Sequence, residues 1–254
     1  MFLKKLIRIH TQFMQKPVQS IVEWLLPSTC ILCDSLTRNT QNLCQLCQQD
    51  LPILPHSCQQ CADFLLSSTI NPANNLLKCG NCLKNPPAYD QTYALFPYQS
   101  PINHLITKLK FQHQLSHARI LGELLANRIQ TQWYWNKPLP DLIIPIPLHP
   151  LRLRERGFNQ ALEIARPIAK ALAIPIDFQG VKRIKNTRAQ SGLLAEERKR
   201  NIAQAFSITR DYSNLTIAIL DDVITTGHTV RECCRMLKNQ GAARIHVWCC
   251  ARNG

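Results

Sequence analysis

Two adjacent carboxylates, Asp221 and Asp222, stand between a run of apolar residues and a turn rich in hydroxyl groups. The apolar run, residues 217–220, has no polar alternation, which predicts a strand buried on both faces of a parallel sheet. The acids are then expected at the carboxyl end of that strand. After the turn at 225–229 the apolar residues take helical spacing until Gly241, a residue type that commonly ends a helix.

Strand, acids, turn and helix in this order predict a site for a phosphorylated sugar. The backbone N–H groups of the turn and the amino end of the helix can bind a phosphate, and the threonine hydroxyls add donors. Carboxylates repel a phosphate but accept hydrogen bonds from sugar hydroxyls, so the predicted ligand is a ribose that carries a 5-phosphate. The candidate binding residues are Asp221, Asp222, Thr225, Thr226, Gly227, His228 and Thr229.

Other interpretations of this turn are less consistent with its residues. The glycine spacing is neither that of a nucleotide P-loop nor that of a dinucleotide-binding turn. An ordinary connection between a strand and a helix, with an aspartate near the helix start, is the remaining alternative. His228 lies inside the turn, where a side chain commonly points to solvent.

The composition is that of a globular chain with a strong excess of positive charge. The 254 residues are 45% hydrophobic and 18% charged, which excludes an intrinsically disordered chain. The formal net charge of +14 favours anionic partners, either phosphorylated metabolites or nucleic acid. No run of about 18 apolar residues occurs, so we expect no helix that spans a membrane.

Residues 1–26 combine basic residues with apolar residues at helical spacing, which predicts an amphipathic helix. The helix packs on the protein's own surface or lies on a membrane or a partner. Lys4, Lys5 and Arg8 interrupt the apolar residues, so the segment is not a secretory signal. We therefore expect a cytoplasmic protein.

Eight of the twelve cysteines form four Cys-x-x-Cys pairs. Two residues between thiolates let both sulfurs face one metal ion, and two pairs complete a tetrahedral Cys₄ site. Eight sulfurs predict two structural zinc sites. Spacing alone does not choose between consecutive and alternating pairs, and we favour consecutive pairs. A disulfide framework is the alternative, although it needs an oxidising compartment. The predicted zinc ligands are Cys30, Cys33, Cys44, Cys47, Cys58, Cys61, Cys79 and Cys82.

The prolines that end the last cysteine pair predict a zinc-ribbon module at 27–87 and a second domain at 88–254. Strands and helices alternate in the second domain, which predicts a parallel, right-handed α/β sheet with its site at the carboxyl ends of the strands. The predicted strands are 89–98, 141–147, 174–184 (a strand or a hairpin), 205–208, 217–220 and 243–249. The predicted helices are 101–111, 116–130, 158–172 and the one that follows the turn.

The remaining cysteines, Cys233, Cys234, Cys249 and Cys250, fall on the apolar face of that last helix and at the end of an apolar run. Free cysteine packs like a small hydrophobic residue, so we expect these four in the core rather than on a metal.

Two stretches resemble known families. Residues 217–229, four apolar residues, two acids and a Thr/Gly-rich loop, resemble the phosphoribosyl diphosphate (PRPP) motif of type I phosphoribosyltransferases. The block Pro-Ile-Pro-Leu-His-Pro-Leu-Arg-Leu-Arg-Glu-Arg-Gly-Phe-Asn-Gln at 145–160 resembles the hallmark of ComF-type proteins. The four cysteine pairs, Leu-Lys-Phe at 109–111 and the residues at 187–206 are further shared traits, and the resemblance covers about 27–250.

The resemblance implies a type I phosphoribosyltransferase fold that binds PRPP with Mg²⁺, or another ribose-5-phosphate ligand. Asp221 and Asp222 would hold the ribose hydroxyls. Residues 185–200 would form a flexible flap that supplies Lys185 and Arg188, so the implied catalytic residues are these two and the acid pair. A loop after Pro147 would bring basic side chains to the pyrophosphate, namely Arg152, Arg154 and Arg156, although arginine runs are often solvated surfaces.

The resemblance also links the chain to natural competence and the uptake of DNA. Two functions follow: phosphoribosyl transfer to an acceptor that the sequence does not identify, or binding of single-stranded DNA with the PRPP site kept as a ligand sensor. A third is an adaptor whose zinc module docks a helicase-like partner. Aromatic residues among the basic loops would favour DNA, but only Phe158 lies inside them.

Overall fold

The computed structural model describes residues 28–37, 42–65, 77–186 and 204–254. The chain divides into two compact units, residues 1–51 and residues 52–254. The predicted helix at 1–26 lies outside the described residues. Within those residues, no helix combines the length and the hydrophobicity that crossing a membrane requires.

The first unit is small. Strands β1 (Ser28–Thr29) and β2 (Leu36–Thr37) pair antiparallel. The short helix α1 (Gln45–Gln49) begins after Cys44, whose sulfur accepts from the backbone N–H of Cys47. A two-stranded hairpin and one helical turn bury little apolar surface, so a bound metal is expected to supply most of the stability.

The second unit is built on a four-stranded sheet in the order β3-β8-β7-β4, in which every neighbouring pair is parallel. The predicted parallel sheet is confirmed. Its two central strands consist mostly of buried residues, as the unalternated apolar runs predicted. The strands are β3 (Gln91–Pro97), β4 (Leu142–Pro145), β7 (Thr216–Ile224) and β8 (Arg244–Arg252).

Helices flank this sheet. A short helix, α2, lies in the last cysteine pair, and a turn of π-helix at Ile129–Trp133 follows α4. The helices are α2 (Gly80–Lys84), α3 (Ile102–Gln112), α4 (Leu115–Arg128), α5 (Pro150–Arg156), α6 (Gln160–Leu172) and α7 (His228–Asn239). Helices α4 and α6 approach closely at Gly122, where a Cβ would lie 2.4 Å from Cγ of Pro167.

Asp221 and Asp222 lie in the carboxyl-terminal part of β7, as predicted, although the strand continues past them to Ile224. One local prediction is wrong. The basic segment that carries Arg152, Arg154 and Arg156 is the helix α5 and not a loop. His149 caps that helix by accepting from the N–H of Leu151, Pro150 occupies its first turn and Gly157 ends it at a φ of +77°.

The segment predicted as a strand or hairpin at 174–184 provides β5 (Val181–Arg183), which pairs antiparallel with β6 (Phe206–Ile208). The buried carboxylate of Asp177 holds this pair in place, since it accepts from Gly180 N, from Tyr212 Oη and from Arg210. The residues between these two strands include 187–203, which lie outside the described part of the chain.

Candidate functional site

The acid pair occupies the carboxyl-terminal part of β7. Asp222 is almost fully buried and Asp221 is partly buried. Oδ2 of Asp222 lies 2.5 Å from Nζ of Lys110, which reaches it from α3. An ionised carboxylate at such depth needs a partner, and Lys110 provides the compensating charge.

The Asp221 and Lys110 side chains both have raised pKa values. Burial raises the pKa of Asp221 well above its ordinary value, and repulsion from Asp222 raises it further. Burial by itself lowers the pKa of Lys110, but the attraction of Asp222 outweighs it and the net shift is upward. The lysine therefore stays charged, while Asp221 holds a proton more readily than an exposed aspartate does.

Two arginines lie within electrostatic reach of these acids. Burial lowers the pKa of Arg156 and that of Arg183. The negative charge of Asp222 opposes the shift at Arg156, and that of Asp221 opposes the shift at Arg183. Each guanidinium also lies over a phenylalanine ring, Arg156 at 5.7 Å from the Phe111 centroid and Arg183 over Phe206. The acids are thus surrounded by cations from three elements, α3, α5 and β5.

The turn at 225–229, called the phosphate loop below, joins β7 to α7. Gly227 has a φ of +73°, a conformation that favours glycine. The N–H groups of Thr225, Thr226 and Gly227 donate to no acceptor in the described part of the chain. Because α7 begins at His228, these donors lie beside the positive end of a helix dipole. Such a group of donors is suited to an anion.

Arg252, at the end of β8, holds this loop through hydrogen bonds to its backbone. Its guanidinium donates to the carbonyl oxygens of Ile224, at 3.0 Å, and Thr225. In a trans peptide unit the C=O and the N–H point in opposite directions. The N–H groups of Thr225 and Thr226 therefore point away from Arg252.

The cysteines form two four-sulfur groups in consecutive order, which settles the pairing. The first centre is Cys30, Cys33, Cys44 and Cys47, and the second centre is Cys58, Cys61, Cys79 and Cys82. In each centre the Sγ atoms all lie within 4.8 Å of one another. Contacts of 3.8 Å in the first centre and 3.6 Å in the second match the roughly 3.8 Å between sulfurs of a tetrahedral zinc site with bonds of about 2.3 Å. All twelve cysteines are free of disulfides.

Comparison with known proteins agrees with both parts of this description. The phosphoribosyl transferase domain model matches residues 111–254, and the double zinc ribbon model matches residues 21–83. Competence protein F of Haemophilus influenzae is 35% identical over 228 residues, which cover 88% of this chain and 96% of that protein. The chain belongs to the ComF family. DNA utilization protein YhgH of Salmonella typhi is 33% identical over 89% of this chain and 97% of its own length.

A solved glutamine PRPP amidotransferase from B. subtilis overlaps 52% of this ComF-family chain and 25% of its own, with 21% identity and a TM-score of 0.35.

The predicted site residues of this ComF-family protein are only partly brought together. Asp221, Asp222 and the phosphate loop are contiguous, and Arg156 lies near the acids. Arg152 and Arg154 are exposed on α5, with Arg152 lying 3.9 Å from Glu155. Lys185 is exposed just after β5, and Arg188 with most of the predicted flap lies outside the described residues.

Sequence reasoning missed Lys110 and Arg183 as site residues. Lys110 is the central residue of the Leu-Lys-Phe trait at 109–111, so the resemblance contained a signal for it. Arg183 was one of several basic residues in a run, and the strand pairing of β5 with β6 is what turns it toward Asp221. Nothing local distinguishes it from its neighbours in the sequence.

Proposed function

We propose that the chain binds PRPP with Mg²⁺ and transfers its phosphoribosyl group to an acceptor yet to be identified. The proposal rests on one observation. At the carboxyl-terminal end of β7, a pair of acids adjoins a loop whose backbone N–H groups donate to no acceptor among the described residues. This arrangement offers acceptors for sugar hydroxyls directly beside donors for a phosphate. The matching domain model and the family of the chain agree with this use.

In this proposal the ribose hydroxyls bind to Asp221 and Asp222. A hydroxyl that donates to Asp222 shares that carboxylate with Lys110. Asp221 accepts a second hydroxyl. The 5-phosphate binds to the N–H groups of residues 225–227, the hydroxyls of Thr225, Thr226 and Thr229, and the start of α7, with His228 at its edge.

The cations around the acids would bind the pyrophosphate. Negative charge builds on that group as the bond to the anomeric carbon breaks, and fixed positive groups stabilise it. Among the described residues, Arg156 and Arg183 are arginines within electrostatic reach of the acids. Arg152 and Arg154 lie on the same helix as Arg156. Lys185 and Arg188 would join them from the 185–200 segment. Bound Mg²⁺ would neutralise further charge while held mainly by ligand oxygens and water.

The names of the relatives motivate the wider role. Those proteins are a competence protein and a DNA utilization protein, so we propose that this chain also acts in the uptake or use of DNA. Twelve free cysteines suit a reducing compartment, which favours the cytoplasm. Docking of a helicase-like partner on the zinc module and membrane contact through residues 1–26 stay predictions.

Calorimetric titration with PRPP-Mg tests the proposal. The variant Asp221→Asn should weaken binding at least about tenfold, because an amide with one acceptor oxygen replaces a carboxyl group with two. Asp222→Asn is made together with Lys110→Met, so that no unpaired lysine remains. Asp211→Asn, at an exposed position, is the control and should bind as the wild type does. Unchanged affinity in the acid variants would refute the assignment.

Pyrophosphate release then separates an enzyme from a ligand sensor. The wild-type protein is incubated with PRPP-Mg and a panel of nucleobases and amines. Release that depends on one acceptor class, and that Arg156→Met and Arg183→Met both reduce, supports transfer. Binding without release from any acceptor would favour the sensor.

One observation favours binding of single-stranded DNA as a second candidate. The Phe111 side chain is 68% exposed and carries Arg156 against its face, and the Phe158 ring lies 5.7 Å from His113. The fold therefore adds an aromatic residue from α3 to the basic helix α5, which the sequence order did not show. Stacking of a base on such a ring contributes about 1–3 kcal/mol.

Fluorescence anisotropy with an oligothymidine tests this candidate. Phe111→Ala should weaken binding about tenfold. Phe178→Ala removes a comparably exposed phenylalanine elsewhere and is the matched control. Equal affinity in the two variants would remove the Phe111 surface from consideration.

A further inference from the structure

The second centre is joined to the sheet through its backbone. The N–H and the hydroxyl of Thr92 on β3 donate to the carbonyl oxygens of Gln59 and Gln60, at 3.1 Å and 2.8 Å. Gln60 in turn donates through Nε2 to the carbonyl of Tyr89. Ala62, next to Cys61, is packed into the main hydrophobic core of the unit. The residues around these cysteines are therefore part of the folded domain that carries the acid pair.

A first connection runs from this centre to the phosphate loop through Arg252. Asp63, two residues after Cys61, accepts from Nη2 of Arg252 at 3.1 Å. The other terminal nitrogen, Nη1, donates to the carbonyls of Ile224 and Thr225. The Arg252 side chain is only 8% exposed, whereas the Asp63 side chain is 46% exposed, so solvent reaches this ion pair from the Asp63 side. The guanidinium group of Arg252 thus links the segment that carries Cys61 to the phosphate loop.

A second connection runs through Arg231, in the first turn of α7. Its guanidinium donates to the carbonyl of Asn85 at 3.2 Å and lies 3.9 Å from Sγ of Cys82. A zinc-bound cysteine is a thiolate, which attracts a guanidinium more strongly than a neutral thiol does. The backbone N–H of Arg231 donates to Gly227, so the same residue also touches the loop.

We propose that the second centre positions the phosphate loop, so that zinc on its four cysteines sets the affinity for a ribose 5-phosphate group. Arg252 and Arg231 are the positioning residues. They hold the loop carbonyls and the start of α7 so that the N–H donors face the ligand. The inference rests on the proposed function for its ligand, but its structural claim concerns the order of the loop and is testable without one.

The variant Asp63→Asn gives the sharpest test, because two explanations predict opposite signs. Removal of a negative charge near an anion site strengthens anion binding if only the electric field matters. If the Asp63–Arg252 ion pair instead acts as a clamp on the loop, its loss weakens binding, because the N–H donors of the loop lose their fixed direction. With ribose 5-phosphate as the titrant and the full chain loaded with zinc, we expect affinity about tenfold weaker. Asp63→Glu, which keeps a carboxylate, should recover part of it.

Arg231→Met is tested against Arg235→Met. Both remove one positive charge from α7, one helical turn apart, but Arg235 is about half exposed and pairs with Glu232, not with the second centre. Arg231→Met should weaken ribose 5-phosphate binding several-fold more than Arg235→Met. Each variant is checked for two zinc ions per chain and an unchanged thermal midpoint, so that a weaker affinity reports positioning and not loss of fold.

Hydrogen exchange over residues 223–231 supplies a readout that needs no ligand. Asp63→Asn and Arg231→Met should speed exchange in this segment and leave that of β4 unchanged. If wild-type protein fails to bind ribose 5-phosphate, the proposed function fails, and faster exchange still supports the clamp. Wild-type exchange rates in both variants, or affinity that rises in Asp63→Asn, would overturn the inference.

Discussion

The two Cys₄ centres share one sequence pattern but occupy different surroundings. In the first centre only Cys30 is buried, while Cys33 is exposed and the other two are partly exposed. In the second centre Cys58, Cys61 and Cys82 are buried, and Leu65 packs against them. The same four-cysteine pattern is thus mostly accessible in one place and mostly buried in the other. A zinc-binding motif identifies the ligands of the metal, but it does not show which part of the fold the metal stabilises.

The largest expected effect concerns stability. Cys61→Ser removes a ligand from the second centre and should lower the free energy of unfolding of residues 52–254 by about 3 kcal/mol or more, because the knuckle packs on the sheet. Cys33→Ser, in the first centre, should leave that transition within about 0.5 kcal/mol. Thermal unfolding followed by near-ultraviolet circular dichroism measures both. Equal decreases in the free energy of unfolding in the two variants would contradict the proposed difference between the centres.

Metal exchange should show the same difference in kinetics. A chelating dye should remove one zinc ion per chain about tenfold faster than the other, since exposed thiolates are open to attack and buried ones require local opening. Cys33→Ser should abolish the fast phase and Cys79→Ser the slow one. A single phase in the wild type, or the reverse assignment, would contradict the burial of the second centre.

The smallest effect tests the attachment of the second centre to the sheet. Thr92→Val keeps the side-chain shape but leaves the carbonyl of Gln60 without its hydroxyl donor, and it should cost about 1 kcal/mol. Leu46→Ala, an exposed position beside the first centre, should change stability by less than about 0.5 kcal/mol. Urea unfolding measures both. A Thr92→Val effect as small as that of Leu46→Ala would show that packing alone attaches the knuckle.

Much of the fold followed from local patterns. Unalternated apolar runs predicted the central strands, because a strand covered on both faces has no solvent side. Helical spacing placed Val230, Cys233, Cys234 and Leu237 on one buried face, and these residues are buried. The four cysteine pairs identified the zinc ligands, because the reach of two sulfurs across two residues depends only on local geometry.

Boundaries were harder to predict. Asp221 and Asp222 stay in β7 because neighbouring β8 continues to pair beyond them, and polar residues alone do not end a strand that has a partner. The basic segment becomes the helix α5 because His149 and Pro150 together start it. A run of arginines hides this capping signal when it is interpreted only as charge.

The sequence by itself determined which groups are available for chemistry: eight paired cysteines, two acids, a hydroxyl-rich turn around one glycine, and an excess of arginine and lysine. Tertiary structure decided which of these meet. Lys110 pairs with Asp222 across 112 residues of chain, and Arg252 links Asp63 to the phosphate loop. Such partners arise from strand order and helix packing, which bring together residues that no local spacing relates. The difference in burial between the two cysteine centres has the same origin.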